Sequence, residues 1–278
     1  MDFVKMHGLG NDFIILYGEQ ELPQDAAEQA IRLCDRHFGI GADGLVYLLP
    51  SDKADARMRI INSDGSEPEQ CGNAIRCAAK YLFDRGIVPR TSLTIETIGA
   101  GVQPVDIREV NGRAVAIRVD MGRPILQADQ IPTTLEGESV IDQELTVNGE
   151  TFRFTAVSMG NPHCVIFTEE AKHISLAEWG PALERHPLFP NKTNVEFVSV
   201  RSPEHLVMRV WERGAGPTLA CGTGACATLV AAVLNGHSPR VATVSLAGGD
   251  LQIEWKEEDG HVYMTGPSIE VFQGQFTE

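Results

Sequence analysis

Two short triplets in this chain place a thiol next to backbone donors: Cys71-Gly72-Asn73 and Cys221-Gly222-Thr223. Each opens an apolar pattern with helical spacing, so each cysteine stands at a helix start. The first helix is predicted from Asn73 to about Arg85, with Ala74, Ala78, Tyr81 and Leu82 on one face and Gly86 closing it. The second is predicted from Gly224 to about Asn235, with Ala227, Val230, Ala231 and Leu234 inward and Gly236 past its end. A helix start has N–H groups without partners in the helix and carries the positive end of the dipole. Such a place binds a carboxylate and eases the ionisation of a nearby thiol. Two thiols, ordinarily near a pKa of about 8.5, can serve as base and acid once their surroundings split their protonation states. One would take the Cα proton of an amino acid while the other returns a proton to the opposite face, inverting the centre without a cofactor. The N–H groups of Gly72, Asn73, Gly222 and Thr223 would hold the carboxylate as its charge grows.

The elements that position these triplets are themselves repeated. Cys71 and Cys221 are 150 positions apart. The same offset relates Gly10-Asn11 to Gly160-Asn161, and Arg59-Ile60-Ile61-Asn62 to Arg209-Val210-Trp211-Glu212. It also relates Asp25-Ala26-Ala27-Glu28 to Ser175-Leu176-Ala177-Glu178, both of which read as helix starts with a capping box. The chain therefore reads as two homologous halves whose equivalent loops meet.

In the first half, strands flank the turn Gly8-Leu9-Gly10-Asn11. A helix is predicted from Asp25 to Phe38, with Ala27, Ala30, Ile31, Cys34 and Phe38 at helical spacing. The run Gly39-Ile40-Gly41-Ala42-Asp43-Gly44 has the letters of a dinucleotide fingerprint, but it follows a helix and leads into a strand, the reverse of the required context. Strands follow at Leu45–Leu49, Arg57–Ile61, Ser92–Thr97, Val102–Arg108 and Ala114–Asp120. Gly122-Arg123-Pro124 breaks the pattern. The second half has a hairpin around Asn148-Gly149 and a helix from Ser175 to Glu184 that Gly180-Pro181 should bend or interrupt. Strands are predicted at Val195–Val200, Leu206–Trp211, Val241–Leu246, Leu251–Trp255 and His261–Thr265, and a last strand, Ser268–Phe272, returns to the first half. The expected fold class is α+β: two pseudo-symmetric halves, each a curved, mostly antiparallel sheet wrapped around a central helix. The expected domains are 1–121 with 266–278, and 122–265.

The formal charge of −15 argues against nucleic acid and against an anionic membrane surface as partners. The apolar stretches are too short to span a bilayer, and the N-terminus lacks the pattern of a signal peptide. Six scattered cysteines in a chain of 278 residues are expected to be reduced and the protein cytoplasmic. Cys221 and Cys226 lie five apart, which fits a helix start and its next turn, and the histidines are scattered, so no metal is expected. Cys34, Cys77, Cys164 and Cys226 read as small core residues. Asn62 and Asn194 could be plain turn residues, and a lone histidine such as His163 is usually structural.

Longer motifs carry a resemblance. His7-Gly8-Leu9-Gly10-Asn11-Asp12-Phe13, the stretch from Asn62-Ser63-Asp64-Gly65 through Cys71-Gly72-Asn73-Ala74-Ile75-Arg76-Cys77, and Met159-Gly160-Asn161-Pro162-His163 resemble diaminopimelate epimerase. Glu212-Arg213-Gly214-Ala215-Gly216 running into Ala220-Cys221-Gly222-Thr223-Gly224, and Thr265-Gly266-Pro267, resemble it too. The resemblance implies a cofactor-independent cytoplasmic epimerase, a homodimer, that interconverts LL- and meso-diaminopimelate for lysine and peptidoglycan precursors. It implies Cys71 and Cys221 as the acid–base pair. Asn11 and the helix starts at Gly72-Asn73 and Gly222-Thr223 would contact the reacting end. Asn62, Asn161, Asn194, Glu212 and Arg213 would grip the distal amino acid end, where Arg213 offers a planar fork to a carboxylate. His163 and Glu212 would tune the thiols. Some members have glutamine near position 44; this chain has Gly44, to which no role falls. Two other readings stay open. One is a sister racemase or isomerase on the same scaffold. The other is a non-enzymatic thiol switch or binding protein in which Cys71 and Cys221 form a redox disulfide.

Overall fold

A computed structural model describes residues 1–68 and 71–277. The chain begins with strands β1 (Asp2–Gly8) and β2 (Asn11–Tyr17), helix α1 (Ala26–Cys34), and strands β3 (Gly44–Leu49) and β4 (Ala56–Asn62). Helix α2 (Gly72–Asp84) follows, then β5 (Ser92–Thr97), β6 (Gly101–Val110) and β7 (Arg113–Asp120). Next come β8 (Val140–Val147), β9 (Glu150–Ser158), β10 (Pro162–Phe167), a 3-10 turn (Ala171–His173) and α3 (Leu176–Glu184). The chain continues through β11 (Asn194–Ser202), β12 (His205–Glu212), the two-residue β13 (Gly216–Pro217) and α4 (Gly222–Leu234). It ends with β14 (Val241–Leu246), β15 (Gly249–Trp255), β16 (Val262–Gly266) and β17 (Ile269–Gln275).

Two compact units emerge: Met1–Asp120 with the C-terminal stretch from Thr265, and Met121–Met264. In the first, the neighbours run β17, β1, β2, β3, β4, β5, β6, β7. Only β2–β3 and β4–β5 are parallel, and these are the two pairs joined through helices, α1 and α2. Parallel neighbours require such a crossover. The second unit repeats the plan as β8, β9, β10, β11, β12, β14, β15, with β10–β11 and β12–β14 parallel across α3 and α4. Each unit is α+β, and the helix pairs α1/α3 and α2/α4 keep the offset of 150 read from the cysteines.

The helices that follow the cysteines are the buried ones. α2 touches β1, β2, β4, β5, β6 and β7, and every residue from Gly72 to Ala79 is buried. α4 touches β9, β10, β11, β12, β14 and β15 and is buried from Gly224 to Ala232. A helix enclosed by strands must be apolar or internally satisfied all round, and small residues such as Ala74, Ala78, Ala225 and Ala231 let the strands approach. Gly86 and Gly236 close the helices at φ of 66° and 72°, a backbone region glycine enters at little cost.

Three local expectations are corrected. α1 ends at Cys34 rather than Phe38, because the Asp35 carboxylate accepts the N–H groups of His37 and Phe38 and turns the chain. Its inward face is Ala26, Ala30, Leu33 and Cys34. Ile31 is 52% exposed, Phe38 is 93% exposed, and Ala27 is also exposed. Neither capping box forms: Asp25 takes the Gln29 amide instead, and Ser175 makes no side-chain cap. α3 runs unbroken through Pro181, and Gly180 keeps it close to Trp211, whose ring a Cβ at 180 would meet at 2.3 Å.

Candidate active site

Cys71 and Cys221 are each the residue that caps a buried helix, with extended backbone at φ of −148° and −118°. In the first unit, Asn11 at the start of β2 reaches this helix start. Its Oδ1 accepts from Asn73 Nδ2 at 3.0 Å and lies 3.9 Å from Cys71 Sγ. Charge settles which way both amides face. Asp43 Oδ2 can only accept, so Asn11 presents Nδ2 to it, at 2.8 Å. Arg76 can only donate, so Asn73 presents Oδ1 to its Nη2, at 2.9 Å. Arg76 is fully buried beneath the first turn and also holds the carbonyls of Gly72 and Pro267. Asp43 is held in turn by Arg36, which forks onto Asp12 as well, and Lys5 Nζ stands 2.6 Å from Asp12. Burial opposes the Asp12 carboxylate, but Arg36 and Lys5 overcome it and hold its carboxyl down at about 2. Asn62 ends β4 and closes the 62–66 turn, its Nδ2 on Ser66 Oγ at 3.0 Å.

The second unit has the same plan with different chemistry. Asn161 takes the place of Asn11, and its Nδ2 donates to Thr223 Oγ1 at 3.3 Å. Thr223 Oγ1 is 3.6 Å from Cys221 Sγ, and Gly224 N–H donates to that sulfur at 3.4 Å. His163 is fully buried, with Nε2 3.0 Å from Asn161 Oδ1 and Nδ1 2.6 Å from Glu196 Oε1. The Glu212 carboxyl accepts from Thr218 Oγ1 and also hydrogen-bonds the Cys221 thiol. Burial pushes the Glu212 carboxyl up, against those two bonds.

The helix start does not make Cys221 easier to ionise, as the sequence led us to expect. Burial first, then the carboxylates of Glu212 and Glu196, push its thiol well above the usual range, and the Thr223 and Gly224 donors only partly offset them. Desolvation of a fully enclosed thiol outweighs a helix-start donor or two. Cys221 is thus a protonated donor at neutral pH in this state, while Cys71 is half-exposed. The four cysteines expected in the core are all buried, and burial pushes Cys34 and Cys77 up to about 12. Among the described residues, no disulfide forms and no cluster of three or more His, Cys, Asp or Glu could hold a metal.

Asn194 and Arg213 meet on the turn after β12. Asn194 is buried, its Oδ1 accepting from Arg213 N–H at 2.9 Å and its Nδ2 donating to Pro162 O at 2.8 Å. Arg213 is exposed, with Nη1 3.4 Å from Asn191 O. The turn is pinned from α3 by Glu184, which accepts from Trp211 Nε1 and Gly214 N–H. The run 39–44 links α1 to β3, as its context required. A Cβ at Gly39 would meet Arg32 O at 2.3 Å, so this glycine serves a tight turn.

Sequence reasoning missed Asp43, Arg76, Glu184 and Glu196. Two had a readable signal. Arg76 is a cation set among the apolar residues Ala74, Ile75, Cys77, Ala78 and Ala79, three residues after Asn73. Glu196 is a lone acid inside the apolar run Val195-Glu196-Phe197-Val198. Asp43 and Glu184 sit in ordinary polar surroundings in the sequence, and only their spatial neighbours mark them out.

The chain was compared with known proteins. The family model for diaminopimelate epimerase matches residues 3–127 and 155–271. The diaminopimelate epimerase of Desulfitobacterium hafniense is 57% identical over 282 positions, covering 100% of this chain and 99% of that protein. That of Moorella thermoacetica is 56% identical, covering 99% of each. Among solved structures, a probable proline racemase from Agrobacterium radiobacter superposes with a TM-score of 0.72 at 18% identity, covering 99% of this chain and 92% of that one. A PhzF-family phenazine biosynthesis protein from Bacillus anthracis gives 0.70 at 16%, covering 100% and 99%. At such identities these likenesses show the fold alone, an α+β arrangement of pseudo-symmetric halves.

Proposed function

This chain belongs to the diaminopimelate epimerase family, and from that premise we propose a two-base mechanism in which Cys71 and Cys221 work on one Cα from opposite faces. The enzyme is an isomerase that interconverts LL- and meso-diaminopimelate. One sulfur, as thiolate, removes the Cα proton, and the other, as thiol, delivers a proton to the far face. The C–H bond breaks on one side as a new one forms on the other. The helix starts at Gly72-Asn73 and Gly222-Thr223, with Asn11, hold the α-carboxylate as it takes on enolate character. Asn62, Asn161, Asn194, Glu212 and Arg213 grip the distal end. Arg213 takes its carboxylate, Glu212 its ammonium, and Asn194 steadies the turn that carries both. His163 and Glu212 tune the thiols. The domains are 1–121 with 266–278, and 122–265, each supplying one thiol. The protein works in the cytoplasm as a homodimer on a small molecule, with no cofactor, metal, nucleic acid or membrane.

The observation that carries this reading is the pair of matched helix starts, each with a sulfur, a polar residue two positions on and an asparagine at or just before the start of the equivalent strand. It is tested by incubating LL-diaminopimelate with the protein in D2O. Early deuterium is expected at Cα of the product and not of the recovered substrate, because two separate bases do not return the same proton. Cys71→Ala and Cys221→Ala should each lower turnover by about 10²-fold or more, the scale of general acid–base catalysis. Equal early labelling of substrate and product, or near-normal turnover in either variant, overturns the mechanism.

A further inference from the structure

Glu196 lies in β11 between β10 and β12, opposite Val165 and Val210, with no exposure to solvent. Its neighbours Val195 and Phe197 point the other way, into an apolar cluster. A buried carboxylate is costly unless fully bonded. This one is half bonded: Oε1 meets His163 Nδ1 at 2.6 Å, and Oε2 has no hydrogen-bond partner among the described residues. The scaffold itself does not call for the pair. At the same offset, the first unit has Phe13 in place of His163 and Val46 in place of Glu196, both buried. The helix start is adapted to it as well. Ala74 in the first unit corresponds to Gly224 in the second, where a Cβ would stand 2.8 Å from Glu196 Oε1 and 3.1 Å from Cys221 Sγ.

We propose that Glu196 is a positioning residue for Cys221: by holding His163 it sets the direction of the hydrogen-bond chain His163–Asn161–Thr223 so that its donors point at the Cys221 sulfur. The proton count follows the contacts. The 2.6 Å contact between Nδ1 and Oε1 holds one proton. Asn161 Oδ1, 3.0 Å from Nε2, can only accept, so Nε2–H donates to it while Asn161 Nδ2 faces Thr223 Oγ1. The Thr223 hydroxyl proton is then left for the sulfur, beside the Gly224 N–H. The His163–Glu196 pair carries two protons and is neutral as a whole. If Nε2 lost its proton, Asn161 would turn over, the Thr223 hydroxyl would swing away, and a thiolate at Cys221 would lose a donor. The other titratable groups beside this chain are Glu212, on the thiol, and Cys164, next to Glu196. The first unit reaches the same end differently, fixing its amides with Asp43 and Arg76. The two thiols are therefore served by unlike supports.

The inference rests on Cys221 being one of the two acid–base groups, and its test is separable from that reading. The 15N spectrum of histidine-labelled protein without substrate reports His163 directly. Nε2 is expected to carry a proton in the wild type; in Glu196→Leu the ring keeps a single proton with no anchor at Nδ1, and its two nitrogens are expected to show tautomer-averaged shifts. In steady state, Glu196→Leu should lower kcat about tenfold to hundredfold, as when a partner that orients a reacting ligand is removed, with KM within threefold. Glu196→Gln should recover most of that loss, because its amide can donate to Nδ1 and keep the proton on Nε2. A bare Nε2 in the wild type overturns the proposal, even if Glu196→Leu fails to fold. So does a folded Glu196→Leu with kcat within twofold of wild type, or a Glu196→Gln as impaired as Glu196→Leu. Full turnover in Cys221→Ala would instead remove the two-base reading and leave the spectrum to stand alone.

Discussion

The Cys221 thiol sits between donors that favour its anion and carboxylates that oppose it. Burial, Glu212 and Glu196 win, in that order. Glu212 is the more direct lever because it bonds the sulfur. Replacing it with glutamine removes one of the charges that raise the thiol, so the thiolate fraction at a given pH should grow. Iodoacetamide labelling of the Cys221 peptide, followed by mass spectrometry across a pH series, should show its midpoint moving to lower pH in Glu212→Gln. A midpoint moving to higher pH would mean that Glu212 serves the sulfur chiefly as a proton acceptor. The place of Cys71 and Cys221, each at the head of a helix, was legible from the glycines that flank them. The ionisation of Cys221 was not. A helix start is a local property of the sequence, whereas desolvation depends on which strands close over the helix.

At the scale of elements, α3 supports the turn at 211–214. Glu184 holds Trp211 and Gly214 from its last turn, and Gly180 gives the Trp211 ring its place. Gly180→Ala would set a Cβ 2.3 to 2.5 Å from ring carbons on a buried face. The overpacking should cost about 1–3 kcal/mol and be visible as a lower melting temperature. Since the displaced turn carries Glu212 and Arg213, KM for diaminopimelate should rise more than kcat falls. An unchanged melting temperature would show that α3 can slide without moving the turn. The existence of α3 was legible from the repeat, and its Gly180-Pro181 pair suggested a bend or an interruption. The helix is continuous through Pro181, with Glu184 holding its last turn to Trp211 and Gly214.

At the scale of the whole molecule, the charge of −15 gives a pI near 4.9, so acidification from neutral pH first relieves self-repulsion. Below that range, individual ion pairs decide stability. Asp12, held by Arg36 and Lys5, has a folded pKa of about 2 against an ordinary 3.8. A depressed carboxyl contributes stability in full above its unfolded pKa and loses it as pH falls through the folded one. Asp12→Asn should therefore melt below the wild type at pH 7, and the gap should narrow below about pH 4 and close near pH 2. A gap that persists to pH 2 would assign the effect to packing. Among the described residues, no helix is long and apolar enough to cross a membrane.

The sequence alone determined the doubling of the chain, the two thiol-bearing helix starts, most strand positions and the family. Each of these is written in short runs whose spacing survives at one offset, and periodicity within a run reports the face it buries. Only the tertiary structure brought His163 to Glu196, Asn11 to Asp43 and Trp211 to Glu184, residues separated by 33, 32 and 27 positions. It also buried the Cys221 thiol deeply enough to outweigh the helix-start donors. Contact between distant residues, and the loss of water around a group, are consequences of packing that no local spacing encodes.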